Sequence, residues 1–447
     1  MIKLFFIFTL FGFLSACGTT QKQSYNKHFT PLLKSAIKDS PSSGDLNNAP
    51  WEIPENYSQD IVIDESTLDI YPEINDWPDM VTLNESGADT ERYLYRSHEI
   101  RPIEKLFGEK TTEENITKYQ DAGGGVISVV DLKTNKAKIL IQSPYWEAVD
   151  GIIWTPWKTL LITQETKNKV ITDPSQPQAE SGLVYEILLD QNDLMNEQNT
   201  AQAIARPLLG ALAHEGIEVD DNGAVYVIDE DYEGSIYKFI PDIYGNLSSG
   251  NLSVLKLSQE TSDKTGPATW IPLDMSKIVV NAQEAAKDVN ASSWCRPEDL
   301  EIIGQTLYVA STCHERDDDD NFIGNRVLAI NLDGTPHVSN FILAGVNVPE
   351  ENLTSNPGFQ NPDNLAKGPD KTLWIIEDNS PSDIWVASLK TDLRGYSEQV
   401  YLFASLADAK AEGTGIYFTK DFKTLFVNIQ HSGTGNDKTM KIRQIQH

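Results

Sequence analysis

Arg296 and Glu298 flank a proline in the sequence WCRPED, at the start of a stretch in which apolar and polar residues alternate. This stretch and the apolar run that follows Gly304 and Gln305 predict a β-hairpin with a two-residue turn. A carboxylate there is suited to a metal ion, and an arginine is suited to an anionic group. The opposite charges at the mouth of the hairpin therefore indicate a functional site.

The same pattern recurs along the chain as an acid, a short strand, a polar or glycine turn, and a second strand built around a large apolar residue. The acids that open these copies are Asp150, Glu215, Glu298, Asp363 and Glu412. Repeated units rich in short strands are typical of β-propeller blades, whose innermost strands begin at one rim of a central channel. We therefore expect these acids to converge on the channel axis.

A ring of carboxylates on that axis predicts a metal site. Hard cations require oxygen ligands, and calcium takes about six to eight of them. Without a metal ion, such a ring would suffer strong mutual repulsion. For any single acid the alternative is a rim residue that caps a turn or pairs with a neighbouring base.

The composition favours one large exported domain. Residues 51–447 contain many short strand signals and few amphipathic helices, which fits a single all-β domain better than separate α/β domains. The chain has 66 acidic and 36 basic residues, a formal charge of −30 and a pI near 4.5. This charge argues against binding of nucleic acid, whose phosphates need a basic surface, although acidity could also serve solubility alone.

The first residues predict export and a lipid anchor. Residues 1–17 combine an early lysine, an apolar run and small residues that end at Cys17, which resembles a bacterial lipoprotein signal with Cys17 as the lipidated residue. The alternative is an ordinary cleaved signal with an incidental cysteine. Residues 18–50 are polar and predict a flexible tether. We expect a protein anchored to the bacterial cell envelope, in the periplasm or at the outer membrane.

The two remaining cysteines predict a disulfide. A turn at Gly304 and Gln305 places Cys295 opposite Cys313 across the predicted strand pair, and export permits oxidation. The disulfide would pin the arm that carries Arg296. Metal ligation by either cysteine is the alternative.

Several segments together resemble the PhoX-type alkaline phosphatases, in the same order over nearly all of the chain after residue 50. These segments are WEIPENYSQD from Trp51, TPWKTLLITQE from Thr155, HEGIEVDDNGAVYVIDED from His214, RPED from Arg296, NPDNL from Asn361 with LWIIED, and EGTGIYFTKDFKTLFVNIQH from Glu412. The resemblance implies an all-β, six-bladed β-propeller with loop insertions, whose channel holds calcium and iron and hydrolyses phosphomonoesters.

The resemblance also implies roles for single residues. Arg296 would contact the substrate phosphate, and Glu215 and Glu298 would bind metal. The further ligand candidates in matching motifs are Glu165, Asp363, Asp378 and Glu412, together with Asp150. We expect a monomer that acts on a small phosphomonoester.

The chain departs from the family pattern at three places. The cysteine that ligates iron in the family is replaced by Asp150, the glycine after TPW is Lys158, and the paired glutamates are Gln164 and Glu165. An aspartate still binds a hard metal, but loss of the thiolate removes the soft ligand of an iron site. Calcium is therefore the expected cofactor, and a divergent family member the expected assignment.

Two other functions remain open at this stage. Calcium-dependent lactonases and related esterases also use propeller channels lined by carboxylates, and a non-catalytic propeller lipoprotein could have lost its chemistry with the change to Asp150. Arg296 favours a phosphate, because a lactone has no dianion to bind. The sequence contains no G-x-S-x-G elbow and no G-x-x-x-x-G-K-[ST] loop, so it does not support a serine hydrolase or a nucleotide-binding loop.

Overall fold

The computed structural model describes residues 29–72, 75–102, 112–190, 194–196, 201–316, 322–349 and 358–445, except for the side chains of 313–316 and 322–324. In chain order the strands are β1 (Trp51–Glu52), β2 (Tyr57–Asp64), β3 (Pro78–Leu83), β4 (Tyr93–His98), β5 (Gly125–Asp131), β6 (Lys136–Ser143), β7 (Val149–Trp154), β8 (Leu160–Gln164), β9 (Tyr185–Leu188), β10 (Gln202–Ala205), β11 (Ile217–Val219), β12 (Val225–Ile228), β13 (Ile236–Pro241), β14 (Gly250–Leu257), β15 (Gly266–Pro272), β16 (Pro297–Ile303), β17 (Thr306–Arg316), β18 (Phe322–Asn331), β19 (His337–Leu343), β20 (Pro362–Gly368), β21 (Thr372–Glu377), β22 (Asp383–Ser388), β23 (Val400–Leu406), β24 (Glu412–Phe418), β25 (Thr424–Gln430) and β26 (Lys438–Gln444).

Helices contribute little to the fold. They are α1 (Glu113–Asp121), α2 (Met275–Ile278) and α3 (Ala282–Asp288), with a 3-10 turn at Pro207–Leu209. In the described part of the chain, no helix has both the length and the apolar composition that crossing a membrane requires.

Within the described ranges the strands form five antiparallel sheets. Four of them have the orders β3-β4-β5-β6, β10-β9-β8-β7, β1-β23-β22-β21-β20 and β2-β26-β25-β24. The fifth has nine strands, in the order β11-β12-β13-β14-β15-β19-β18-β17-β16. The prediction of an all-β, propeller-like fold is confirmed.

The prediction of six separate blades is wrong, because β15 joins two groups of four strands into one sheet. It pairs with β14 along five residues and with β19 at Gly266 and Pro267. The end strands β11 and β16 then lie side by side, where the Gly216 amide donates to the Glu298 carbonyl at 2.9 Å. The nine-stranded sheet is therefore nearly closed on itself.

The first strands of the sheet units lie next to one another around a closed ring. The order of contact is β3, β7, β11, β16, β20, β24 and again β3. Side chains connect these inner strands: the Leu365 amide donates to Asp299 Oδ2 at 2.8 Å, and Thr414 Oγ1 donates to Asp79 Oδ1 at 2.6 Å. The ring places one end of every inner strand at a common rim.

Apolar layers between neighbouring sheets hold this arrangement together. All six residues of β21 are buried, and Trp374 in that strand packs edge-on against Phe403 with ring centroids 4.5 Å apart. Tyr57 contacts the same Phe403 ring at 5.0 Å. Aromatic pairs in this geometry add about 0.5 to 1.5 kcal/mol each to the burial of their surface, so these layers fix the sheets that carry the rim.

Part of the predicted tether lies against the folded body. Phe29 is buried, with its ring 5.0 Å from that of Phe403, and the Leu32 amide donates to the Leu402 carbonyl at 2.9 Å. A few apolar residues therefore hold part of residues 29–50 against the folded body, although the average composition of this segment is polar, and the division of the chain into a tether and one domain stays a prediction. Residues 1–28, with Cys17, lie outside the described part of the chain.

Candidate active site

Every inner strand brings a carboxylate to the same rim. These carboxylates are Asp79, Asp150, Glu215, Glu298, Asp363 and Glu412. Each stands at or just before the beginning of its strand, where the ring of inner strands brings the strand ends together. The convergence expected from the repeated sequence pattern is present, and Asp79 adds a member that the pattern analysis missed.

A repeated backbone feature aims these acids. Four of the inner strands have a register shift immediately after the acid, between Pro78 and Val81 in β3 and at the corresponding places in β7, β16 and β20. The residue two positions before the acid has a positive φ in each case, with values of 44° at Trp77, 43° at Ala148, 39° at Arg296 and 43° at Asn361. Positive φ is uncommon outside glycine, and bulges redirect side chains. The recurrence of both features indicates that the backbone is shaped to present the acids.

A second row of side chains comes from the ends of the neighbouring strands. In each case the backbone amide of a second-row acid donates to the carbonyl of the residue two positions before a first-row acid, and these carbonyls belong to Trp77, Ala148, Ala213 and Asn361. The second-row carboxylates are Glu99, Glu165, Glu230 and Asp378. Together the two rows form what we call the carboxylate ring.

Glu215, Glu230 and Glu298 form the tightest group in this ring. One carboxylate oxygen from each lies within 4.8 Å of the others, which is close enough for a single metal ion. Arg296 Nη2 lies 2.6 Å from Glu230 Oε1 and 3.3 Å from Glu298 Oε1. Thr312 Oγ1 also donates to Glu298. The sequence pattern found Glu215, Glu298 and Arg296, but not Glu230.

A second arginine occupies another sector of the ring. Arg101 Nη2 lies 2.5 Å from Glu99 Oε1 and also contacts Glu165 Oε2, and its Nη1 donates to the Glu165 carbonyl at 3.3 Å. Glu230 contacts Arg296, and burial followed by the repulsion of neighbouring acids that include Glu230 raises the pKa of Glu165. The two arginines therefore flank one pair of second-row glutamates.

Burial and mutual repulsion disfavour the charged form of these acids. Burial raises the pKa of Asp79 to about 7 and the pKa of Glu99 to about 8. Burial, followed by repulsion from neighbouring carboxylates, raises the pKa values of Asp150, Glu215 and Asp363 well above their ordinary range. A bound cation would relieve both effects.

The residues fit a hard divalent cation. The carboxylate ring offers oxygen donors, which calcium prefers, and its members come from neighbouring sheets. Asp150 is 4% exposed, and its Oδ1 atom has no hydrogen-bond partner among the described residues. A buried carboxylate oxygen without a partner is costly, and coordination of a cation would satisfy it.

The Arg296 side chain is more accessible to solvent than the acid beneath it. The Arg296 side chain is 37% exposed, whereas that of Glu298 beneath it is 2% exposed. A ligand from solvent can therefore reach the guanidinium, while the acids are held inside. The planar guanidinium can donate two parallel hydrogen bonds to a phosphate.

All the acids named from the sequence lie in the carboxylate ring. They are Asp150, Glu165, Glu215, Glu298, Asp363, Asp378 and Glu412. Their metal-binding role and the phosphate-binding role of Arg296 stay predictions. Asp79 could have been predicted from the sequence, because it directly follows a proline, Pro78, as Glu298 follows Pro297.

The predicted hairpin is confirmed at its turn. Ile303 pairs with Thr306 across Gly304 and Gln305, and Pro297 pairs with Ser311. Cys295 is disulfide-bonded. The side chain of Cys313 lies outside the described residues, so the pairing of these two cysteines stays a prediction.

Comparison with known proteins agrees with this geometry. The chain matches no curated protein by sequence. The solved structure of Pseudomonas fluorescens PhoX in complex with vanadate, a transition state analogue, matches with a TM-score of 0.67 and 19% identity, covering 94% of this chain and 98% of that chain. This likeness shows a common fold.

Two weaker structural matches were also found. The allergen Mala s 1 of Malassezia sympodialis has a TM-score of 0.44 and 9% identity, over 88% of this chain and 98% of its own. The PQQ-bound aldose sugar dehydrogenase of Streptomyces coelicolor has a TM-score of 0.37 and 14% identity, over 88% of this chain and 99% of its own.

The decisive match is to a family profile, alkaline phosphatase PhoX, which covers residues 151–433. The chain belongs to the alkaline phosphatase PhoX family.

Proposed function

We propose that the protein is a metal-dependent phosphomonoester hydrolase. The observation that carries this proposal is the partly exposed side chain of Arg296, whose guanidinium contacts Glu230 and Glu298 in the group that these two acids form with Glu215. A cation site and an anion-binding arginine in direct contact suit a phosphate ester, which needs both charge neutralisation and orientation. Membership of an alkaline phosphatase family supports the same reaction.

Calcium is the cofactor that the residues favour. Glu215, Glu230 and Glu298 would hold one ion, and Asp150, Asp363, Asp378 and Glu412 are the further candidate ligands, whereas Glu165, the remaining candidate, is paired with Arg101. When bound, a hard cation supplies Lewis-acid stabilisation of charge on the phosphoryl oxygens. Asp150 stands where the family resemblance implies an iron-ligating cysteine, and replacement of a thiolate by a carboxylate favours calcium over iron.

The chain's own groups bind and orient the substrate. Arg296 would donate N–H groups to two non-bridging oxygens of the phosphate and stabilise the charge that grows there as the alcohol leaves. Glu230, which accepts from Arg296 Nε at 2.7 Å, holds the guanidinium in place before the substrate arrives. Thr312, through its bond to Glu298, fixes the carboxylate that faces the same guanidinium.

Because the carboxylate ring is negatively charged, we expect the substrate to bind only when metal is present. A phosphate dianion that approaches carboxylates without cations is repelled, and two arginines do not offset the ring. We therefore expect chelation to abolish hydrolysis of p-nitrophenyl phosphate, and added calcium to restore it. Elemental analysis of the purified protein should show calcium.

The outcome separates the proposed function from its alternatives. Hydrolysis that survives complete removal of metal would contradict the proposal. Calcium with no phosphatase activity would favour a lactonase or esterase if lactones are hydrolysed, and a non-catalytic protein if no ester is. Magnesium added in place of calcium is the matched control, because it demands a stricter octahedral site.

We also propose export and anchoring through a lipid on Cys17. The support is the sequence of residues 1–17 alone, which lies outside the described residues. Replacing Cys17 with serine should move the protein from the membrane fraction to the soluble fraction of the envelope, because the thioether to the lipid can no longer form. Equal membrane content in both proteins would contradict the anchor.

A further inference from the structure

Arg101 occupies the kind of position in the carboxylate ring that a metal ion would take. Its Nη2 atom contacts Glu99 Oε1 at 2.5 Å and also contacts Glu165 Oε2, so one atom bridges two carboxylates from neighbouring sheets. A calcium ion is likewise coordinated by carboxylate oxygens from more than one residue. An ion placed between these two oxygens would therefore overlap the guanidinium.

Glu230 and Glu298 contact Arg296, but three other acids of the ring have no basic partner among the described residues. Asp150, Asp363 and Glu412 form no ion pair with an arginine or lysine among the described residues. Asp150 Oδ1 also has no hydrogen-bond partner among these residues, and the Asp150 carboxylate is repelled by the carboxylates of Glu165 and Glu99. The ring thus contains a sector closed by an internal cation and a neighbouring sector that lacks one.

The surroundings hold Arg101 in place. Its Nε donates to Glu99 Oε1 at 2.9 Å and its Nη1 donates to the Glu165 carbonyl, so several of its donors are directed to two residues. Its side chain is 31% exposed, so the contact is at the rim and not deep in the core. An arginine fixed by that many bonds and always charged is a permanent cation.

We propose that Arg101 is a resident cation, which fills with its guanidinium a place in the carboxylate ring that a calcium ion would otherwise take. The protein then binds fewer ions than its carboxylates could hold, with the bound calcium confined to the acids of the ring that Arg101 does not contact. The inference rests on the proposed calcium dependence, but it concerns the number of ions and not the reaction. Removal of the guanidinium should open the site.

The test is the calcium content of the full chain with the substitution Arg101→Gln. After dialysis against calcium, this variant should bind about one more calcium ion per chain than the parent protein, because two carboxylates become available. Arg92→Gln is the matched control, since Arg92 forms a similar bidentate pair with Asp131 outside the ring. Its calcium content should equal that of the parent.

A second pair of variants decides the question if Arg101→Gln does not fold. Glu99→Gln should leave the calcium content unchanged, because Glu99 is paired with Arg101 and would not bind a calcium ion. Asp363→Asn should lower it, because Asp363 lies in the sector left for metal. Loss of an ion in Glu99→Gln would overturn the proposal.

The readout also separates this proposal from the proposed function. Calcium in the parent with the same content in folded Arg101→Gln would overturn the resident cation and leave the phosphatase proposal standing. A parent protein without calcium would count against the proposed metal dependence. In that case, only a gain of calcium in Arg101→Gln would support the resident cation, and the absence of a gain would overturn it.

Discussion

Replacing Arg296 with alanine should lower kcat/KM for a phosphomonoester by about 10²- to 10³-fold, the range typical for loss of one preorganised donor to a developing oxyanion. The guanidinium is the exposed cation above Glu230 and Glu298, and the variant would leave the phosphate to the metal site alone. Kinetics with p-nitrophenyl phosphate at saturating calcium measure the effect.

Calcium content distinguishes loss of substrate binding from loss of metal in this variant. Removing Arg296 takes a positive charge away from Glu230 and Glu298, so the affinity of that group for calcium should stay the same or rise. Arg296→Lys is the matched control, because it keeps the charge but loses the planar fork, and it should recover only part of the activity. Unchanged kinetics in a folded Arg296→Ala variant would contradict the role.

The local part of the site could be predicted from the sequence because it depends on neighbours along the chain. The turn at Gly304 and Gln305 sets the register of its hairpin as far as the pairing of Leu300 with Val309, and a shift of one residue beyond that point gives the pairing of Pro297 with Ser311. Glu215 and Glu298 could likewise be predicted to lie at one rim, since equivalent strands of a propeller-like fold begin at the same end.

The missed residues depend on contacts between distant segments. Arg101 meets Glu165 across 64 positions of sequence, and no periodic pattern of a single strand predicts that contact. Glu230 directly follows Asp229, so the pattern alone gave no reason to choose it. Packing between sheets selects which of these side chains face the ring.

The differences between the predicted and the observed fold also arise from contacts between distant segments. β15 lies in a segment between repeats, and its pairing with β19 through Gly266 and Pro267 closes a sheet that the repeats alone leave as two. Phe29 is a single aromatic residue in a polar segment, yet it packs on Phe403. An average over composition cannot identify one side chain that anchors a segment.

Replacing Glu298 with glutamine should remove both calcium and activity. Glu298 is the member of the metal group that is bonded to Thr312 and faces Arg296, and its side chain is almost completely buried. Loss of a residue that merely supports a ligand costs about 10- to 100-fold in metal affinity, so loss of a ligand should cost at least about 100-fold. Calcium titration followed by thermal melting measures this change, because bound metal stabilises the folded protein.

The comparison with Glu301→Gln tests whether position in the ring matters or only negative charge. Glu301 stands three residues further along the same strand, and its Oε2 accepts from the Lys367 amide at 2.9 Å, away from the group of Glu215, Glu230 and Glu298. Both substitutions remove one carboxyl group from β16. If calcium binding depends on the ring, Glu301→Gln should keep nearly full calcium affinity, while Glu298→Gln loses it. Equal losses in the two variants would mean that the channel attracts calcium through its total charge, and the metal site would then not be the one built around Arg296.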